Sequence, residues 1–175
     1  MTNIINLFKF IESKRKQYQV PLKFILINNL PLDNLNVKGN LDLFNTQIKS
    51  LPDNLKISGF LSVTWNENMT ELPNNLNVKS DIYLSHTPIK SVPDTLKVGG
   101  HFYLDDTKIT ALPDNLKVGG DLRLTSTPIQ SLPDNLNVKG DLYLHNTPIS
   151  KKYTKEEILK MIEDSGGSVK GKIYI

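Results

Sequence analysis

Tyrosine and arginine side chains return every 20 or 21 residues in the repeats of this 175-residue chain. One position of the repeat holds Asp42, Ser62, Tyr83, Tyr103, Arg123, Tyr143 and Tyr174. Tyrosine and arginine are enriched among the residues that anchor protein interfaces. The pattern therefore predicts a binding stripe made of Tyr83, Tyr103, Arg123 and Tyr143. The alternative is a set of strand residues that only stack on one another.

A second position, two residues earlier, collects carboxylates around a histidine. It holds Asn40, Phe60, Asp81, His101, Asp121, Asp141 and Lys172. Like charges on adjacent strands destabilise a sheet. The cluster is thus either a solvated acidic face relieved by nearby lysines or a site for a basic ligand or a weakly held cation. Asp81, His101, Asp121 and Asp141 are included among the candidate binding residues.

Trp65, the single tryptophan, is a third candidate for binding. It lies beside the extra residue of the one 21-residue repeat, and an insertion in a regular stack bulges outward. The indole either projects as an anchor for a partner or folds back over its own coil.

The residue types disfavour catalysis. His86, His101 and His145 occupy different positions of their repeats, so no catalytic triad and no metal triad is expected. The chain has no cysteine, which excludes disulfides and thiolate zinc sites. We expect a protein that is not an enzyme and that uses no cofactor and no metal.

These side chains are positioned by a repeat that reads L-P-x-N-L-x-V-x-G-x-L-x-L-x-x-T-x-I. Its L-P-D-N-L string begins at Leu51, Leu112 and Leu132, with near copies at Leu72 and Val92. A period of this size predicts a solenoid. The phrase V-x-G-x-L-x-L alternates as a half-buried strand does. We therefore expect a mostly β solenoid with one main parallel strand per 20-residue coil, either leucine-rich-repeat-like or a β-solenoid, with helical caps at both ends.

Further positions of the repeat have structural explanations. The glycine position is explained by space or by a tight backbone bend. The threonines at 46, 87, 107, 127 and 147 are expected to satisfy backbone groups at a corner.

We divide the single domain into three parts. Residues 1–29 form an N-terminal cap, with an amphipathic helix near residues 3–16 and a strand over Gln19 to Ile27. Residues 30–150 form six repeats of 20 or 21 residues. Residues 151–175 form a C-terminal cap, in which a capping box at Thr154 predicts a helix from about Lys155 to Asp164. A final strand follows that helix.

Composition narrows the classes of partner. A formal net charge of +3 and a pI near 8.9 are mild. The lysines look dispersed and no aromatic RNA-binding motif is present, which argues against nucleic acid as a partner. No apolar segment is long enough to span a membrane, and no signal peptide is recognisable. We expect a cytoplasmic protein of the producing or infected bacterial cell.

The repeat resembles known families. L-P-x-x-L with a Leu-x-Leu strand every 20 residues is similar to short bacterial leucine-rich repeats. The fuller unit L-P-D-N-L-x-V-x-G-D-L-x-L-x-x-T-P-I resembles solenoid proteins of large bacteriophages, over about residues 30–175. Threonine stands where leucine-rich repeats usually carry asparagine, and glycine replaces the first strand leucine. A straighter solenoid therefore competes with a curved one.

The expected function is non-enzymatic protein binding through the outward strand face. The phage resemblance implies a bacterial host protein as partner, with defence proteins as one class. Two alternatives remain: a small-ligand module for carbohydrate or for an anionic, nucleotide-like molecule, and a structural component that assembles end to end.

Overall fold

The computed structural model describes residues 36–175. The N-terminal cap expected over residues 1–29, with its helix and strand, lies outside the described residues. Over residues 36–175 the chain is a parallel β-solenoid. Each coil contributes one short strand to each of two seven-stranded sheets.

The first sheet contains β1 Asn36–Val37, β3 Lys56–Ile57, β5 Asn77–Val78, β7 Lys97–Val98, β9 Lys117–Val118, β11 Asn137–Val138 and β13 Ser168–Val169. The second sheet contains β2 Leu41–Asp42, β4 Leu61–Ser62, β6 Ile82–Tyr83, β8 Phe102–Tyr103, β10 Leu122–Arg123, β12 Leu142–Tyr143 and β14 Ile173–Tyr174. Each strand pairs in parallel with the equivalent strand of the neighbouring coil, so the repeat position decides the register.

The parallel solenoid predicted from the repeat is confirmed, but the single main strand per coil is divided in two. The division falls at the glycine position. Before it, a coil donates N–H groups to the preceding coil, as from Lys79 N to Ile57 O at 3.0 Å. After it, the donation reverses, as from Ile82 N to His101 O at 2.9 Å. This reversal creates two sheets that face different directions.

Apolar side chains fill the interior of the coils. Most coils bury the same five positions. These are the second leucine of L-P-x-N-L, the valine, the two apolar residues of L-x-L and the isoleucine near the end of the repeat. Leu116, Val118, Leu122, Leu124 and Ile129 are one such set, and each is at most 3% exposed. Because no coil can bury this set alone, stacking of neighbours stabilises the fold.

Threonine closes one corner of each regular coil, as the repeat predicted. The Thr87 hydroxyl donates to Leu84 O at 2.6 Å, and Thr107, Thr127 and Thr147 do the same with their own leucines. The 21-residue repeat carries Asn66 at this position, fully buried, and its amide donates to the Thr46 hydroxyl at 3.0 Å.

Two short helices precede the last coil. Helix α1 spans Pro148–Lys152 and helix α2 spans Lys155–Asp164. The predicted capping box is present, because Thr154 accepts from Glu157 N while Glu157 accepts from Thr154 N. Helix α2 buries Ile158 and Ile162 against the core. After it, β13 and β14 pair with β11 and β12 and form a seventh coil.

Candidate functional site

The tyrosines and the arginine at the first predicted position form one continuous column on the outward face of the second sheet. We call Tyr83, Tyr103, Arg123, Tyr143 and Tyr174 the aromatic stripe. Register places each beside the next. Since neighbouring parallel strands lie about 4.8 Å apart, the stripe is about 19 Å long. The predicted alignment is thus present.

Ring stacking joins the members of the aromatic stripe. Tyr83 and Tyr103 stack with centroids 4.7 Å apart and planes 9° apart, and Tyr143 and Tyr174 repeat the same geometry. The Arg123 guanidinium lies between these pairs, 5.8 Å from the Tyr103 centroid and 4.8 Å from the Tyr143 centroid. The faces of the inner rings are therefore covered by neighbours, although each tyrosine stays partly exposed.

Arg123 is fixed in place by an acidic partner. Its Nε donates to Asp105 Oδ2 at 3.0 Å, and Asp105 Oδ1 accepts from Thr125 N at 2.9 Å. The Asp105 side chain is only 15% exposed. A guanidinium held between two rings and a carboxylate has few remaining rotamers, so it can contact a partner with little further loss of entropy.

The carboxylates of the second predicted position have a structural task. We call Asp81, His101, Asp121 and Asp141 the acceptor ladder. Asp81 Oδ1 accepts from His101 N at 2.8 Å, and His101 Nδ1 accepts from Asp121 N at 3.0 Å. Asp121 Oδ1 accepts from Asp141 N, also at 2.8 Å. Each side chain thus accepts a hydrogen bond from the backbone N–H of the equivalent residue in the next coil. That N–H lies where the direction of backbone donation reverses, and it has no carbonyl partner there.

The acceptor ladder also explains the repeated glycine. A Cβ built on Gly100 would overlap Asp81 Oδ1, and one on Gly59 would overlap Asn40 Oδ1. The exception supports this reason: Phe60 offers no acceptor, and the following coil carries Ser80 in place of glycine. The glycine therefore makes room for the side chain of the preceding coil, in line with the close approach that the sequence suggested.

His101 must keep Nδ1 unprotonated to accept from Asp121 N. The same nitrogen lies 3.3 Å from Asp121 Oδ2, and that contact is an ion pair only when Nδ1 carries a proton. The two interactions exclude each other. We favour the hydrogen bond, because it repeats the bond that aspartate makes in the neighbouring coils. His101 here stands in for a carboxylate acceptor.

The stripe and the ladder are linked through tyrosine hydroxyls. Tyr83 Oη donates to Asp81 Oδ2 at 3.2 Å, and Tyr143 Oη donates to Asp141 Oδ2 at 3.4 Å. Partial desolvation, followed by the negative charge of Asp81, raises the pKa of Tyr83 and of Tyr103. Partial desolvation and then Asp141 raise the pKa of Tyr143. The phenols are therefore held in their neutral, hydrogen-donating form.

Trp65 projects from its coil and stacks on the next one, so the ring does not simply fold back over its own coil; its role as an anchor for a partner stays a prediction. Its side chain is 51% exposed, and its ring lies over His86 of the next coil at 4.1 Å with planes 19° apart. Its φ is 59°, in the left-handed region. Equivalent corner residues include Asn45 and Asn146, which tolerate this conformation better than a bulky residue does. A tryptophan at this corner is strained.

The first sheet carries a feature that the sequence reading missed. In each coil, one of the two residues flanking the buried valine or isoleucine is an exposed lysine. We call these residues the lysine line: Lys38, Lys56, Lys79, Lys97, Lys117, Lys139 and Lys170. The lysines appeared dispersed because they are divided between two repeat positions. Those positions are two residues apart, and on a strand they share one face.

Three overlapping grooves run along the lysine line. Their volumes are about 220, 980 and 450 Å³. A fourth groove of about 240 Å³ lies between the last coils and the helices. These grooves lie away from the aromatic stripe, which presents a flat face.

The two remaining histidines lie apart from each other and contact different neighbours. His86 Nδ1 lies 3.6 Å from Asp106 Oδ2, and His145 packs 6.4 Å from the Tyr174 ring. Among residues 36–175, no group of three or more histidine and acidic side chains is arranged to hold a metal ion. Within the same residues, no helix is long and apolar enough to cross a membrane.

The fold and the two faces define a repeat protein of the parallel β-solenoid class. Comparison with known proteins goes no further, because no family model, no curated protein and no solved structure is significantly similar to the chain.

Proposed function

We propose that the chain is a non-enzymatic binding protein whose second-sheet face engages a protein partner. The aromatic stripe carries the contact: Tyr83, Tyr103, Arg123 and Tyr143 are half-exposed, pre-stacked and in register. Rigid tyrosines and a fixed arginine supply contact area at low entropic cost, as in other protein interfaces. Trp65 adds an exposed indole ring near one end of the face, at a left-handed corner that the neighbouring coils share.

The shape of this face favours a protein over a small molecule. Ligand pockets are concave and enclose most of a ligand, whereas the stripe is flat and the grooves lie elsewhere. Carbohydrate stacking needs open ring faces, and here neighbouring rings cover the inner ones. An anionic ligand would compete with Asp105 for Arg123.

In this proposal the acceptor ladder holds the tyrosines in position and does not contact the partner itself. Asp81 and Asp141 orient the tyrosine hydroxyls, and their other oxygens accept backbone N–H groups. The similarity of the repeat to solenoid proteins of large bacteriophages suggests that the partner is a bacterial host protein, with defence proteins as one class. That step is an analogy from the repeat alone.

The test is a tagged pull-down from bacterial lysate followed by mass spectrometry. The variant bait carries Tyr83→Thr, Tyr103→Thr, Arg123→Thr and Tyr143→Thr, since threonine retains strand propensity. A matched control bait carries Lys97→Gln and Lys117→Gln on the other face. Both baits are checked for native circular dichroism and an unchanged monomer mass.

We expect a protein captured by the native and control baits and lost from the stripe variant. Equal recovery by the native and stripe-variant baits would remove the stripe from the proposal. Capture that responds to glycans or nucleotides in place of a protein would favour the small-ligand alternative.

A further inference from the structure

The lysine line places one positive charge on every coil of the first-sheet face. The lysine follows the buried valine in some coils, as Lys79 and Lys139 do, and precedes it in others, as Lys97 and Lys117 do. The exact repeat position therefore varies while the charge per coil does not. At about 4.8 Å per coil, seven coils give a line about 29 Å long.

The lysine line has little counter-charge close by among the residues that the structure describes. The ion pairs found among residues 36–175 involve His86, His101 and Arg123, and none involves a lysine. The only carboxylate that lines the three grooves is Asp94. Lys97 and Lys117 are neighbours on adjacent strands, a placement that destabilises a sheet through repulsion. A fold that retains such a pair without a counter-charge leaves it for an outside anion.

The grooves form one path for such an anion. The groove of about 980 Å³ shares Lys56 and Lys79 with the groove on one side and Lys117 with the groove on the other. Gly99 and Gly119 line the groove of about 450 Å³, and their lack of side chains leaves more room there. An extended polymer can therefore follow the whole line, contacting one ammonium group per coil.

We propose that this groove binds nucleic acid through its phosphate backbone, without reading the bases. A nucleic acid offers an unbroken, regular row of negative charges, which matches a regular row of lysines. Ammonium groups on flexible stems bind phosphate as point charges and tolerate a mismatch in spacing. The half-buried amide of Asn77 adds a hydrogen-bond donor beside them.

The same residues offer no platform on which bases could stack. The two outward positions of the first sheet hold only lysine, asparagine, serine and glycine among residues 36–175. Single-stranded bases are held by stacking on aromatic rings or on arginine, and neither residue type is present at these positions. Phosphate contacts therefore carry the proposed binding, and we expect it to depend little on base sequence.

An acidic polypeptide fits this face less well. Extended peptides usually bind by adding a strand to an open sheet edge. Here the backbone groups of the inner strands are paired with neighbouring coils, as Gly119 N is with Val98 O. Carboxylates are also best held by arginine. A peptide would therefore rely on lysine contacts alone, at irregular spacing.

The test measures fluorescence anisotropy of a labelled 20-base-pair DNA duplex over a series of salt concentrations. Lys97→Gln with Lys117→Gln removes the centre of the lysine line. Lys108→Gln with Lys160→Gln is the matched control, because it removes the same net charge from exposed lysines outside the grooves. Two duplexes of unrelated sequence are compared.

We expect the native chain and the control variant to bind both duplexes with similar affinity. In the central variant the plot of log association constant against log salt concentration should become shallower. Its slope should shrink in magnitude by about 1.8, since each of the two lost phosphate contacts contributes about 0.9. The affinity near 0.1 M salt should fall about 10- to 100-fold.

Several results would overturn the proposal. One is no binding of either duplex at about 50 mM salt. Another is an equal loss in the control variant, which would indicate a general charge effect. Displacement of DNA by poly-glutamate at equal charge would assign the groove to an acidic polypeptide. A salt-sensitive dimer abolished by the central variant would assign it to a second copy. Since the stripe lies on the other face, none of these outcomes bears on the proposed protein partner.

Discussion

On the second-sheet face every charge named in the site has a partner, whereas on the first-sheet face no lysine forms an ion pair among residues 36–175. Arg123 is held by Asp105 and by two tyrosine rings, and Asp81 binds both a backbone N–H and a phenol. Lys97 and Lys117 lie side by side, and neither forms an ion pair with a carboxylate of the described residues. This difference in charge pairing is the reason for proposing different contacts for the two faces. A surface whose charges are already paired fits the proposed protein partner, and an unpaired line of charge fits the proposed polyanion.

The largest effect on the free energy of unfolding is expected at the contact between Gly100 and Asp81, where the chain passes from the first sheet to the second. Gly100→Ala would place a methyl group on Asp81 Oδ1. We expect the free energy of unfolding to fall by about 1–3 kcal/mol, as overpacking does elsewhere. Asp81→Ala alone should cost about 1–3 kcal/mol, because His101 N loses its acceptor.

The double variant tests whether the two residues are coupled. Once Asp81→Ala has removed the obstructing oxygen, Gly100→Ala should cost markedly less in urea denaturation. A strictly additive pair would contradict the contact and the explanation of the glycine. Gly119→Ala is a useful control, since a Cβ there would meet the Gly99 carbonyl and no ladder side chain.

His101 offers a smaller test of the same reversal. His101→Ala should lower the free energy of unfolding by about 1 kcal/mol, because Asp121 N loses its acceptor. His101→Asn keeps an acceptor and should stay near the native value, as should His101→Asp. Equal losses in the alanine and asparagine variants, measured by urea denaturation, would show that the Nδ1 bond has no role.

The fold could be predicted in outline because the repeat reports it directly. The register of Tyr83 beside Tyr103 follows from equal spacing, and the buried corner of Thr87 follows from its neighbours in the chain. The division into two sheets could not, because it depends on Gly100 meeting Asp81, an encounter between successive coils. The lysine line escaped for a different reason: Lys79 and Lys97 occupy different repeat positions and share a face only once the strands are in place.

Removing one positive charge from each face should change stability in opposite directions. Arg123→Gln removes the ion pair with Asp105 and the contact with two rings, and we expect a loss of about 1 kcal/mol. Lys97→Gln relieves repulsion from Lys117, and we expect a gain of a few tenths of a kcal/mol. Urea midpoints at low and high salt are the measurement. A loss at Lys97 similar to that at Arg123 would break the comparison between the faces.

The corner at Trp65 sharpens the role of the second-sheet face. Trp65→Asn should relieve left-handed strain of about 1 kcal/mol while losing the stack on His86, for a net gain of about 0.5 kcal/mol. Chemical denaturation measures the gain, and pull-down of the stripe's partner measures the cost. A stabilised variant that binds less would indicate that the indole ring takes part in the contact. A loss of stability of about 1 kcal/mol would instead make Trp65 a packing residue.

The smallest effect concerns the tyrosine hydroxyls, which titrate only in strongly alkaline solution. Desolvation and the neighbouring aspartates raise the pKa of Tyr83, Tyr103 and Tyr143 in the folded chain. A raised pKa means that the unfolded chain loses these protons first. Stability is therefore complete below the ordinary phenol pKa of about 10 and declines as the pH rises through the folded values. Absorbance near 295 nm should show a late phenolate step that loses amplitude in Tyr83→Phe. An unchanged late step would remove Tyr83 from the tyrosines with a raised pKa and would weaken the contrast between the paired charges of one face and the unpaired lysines of the other.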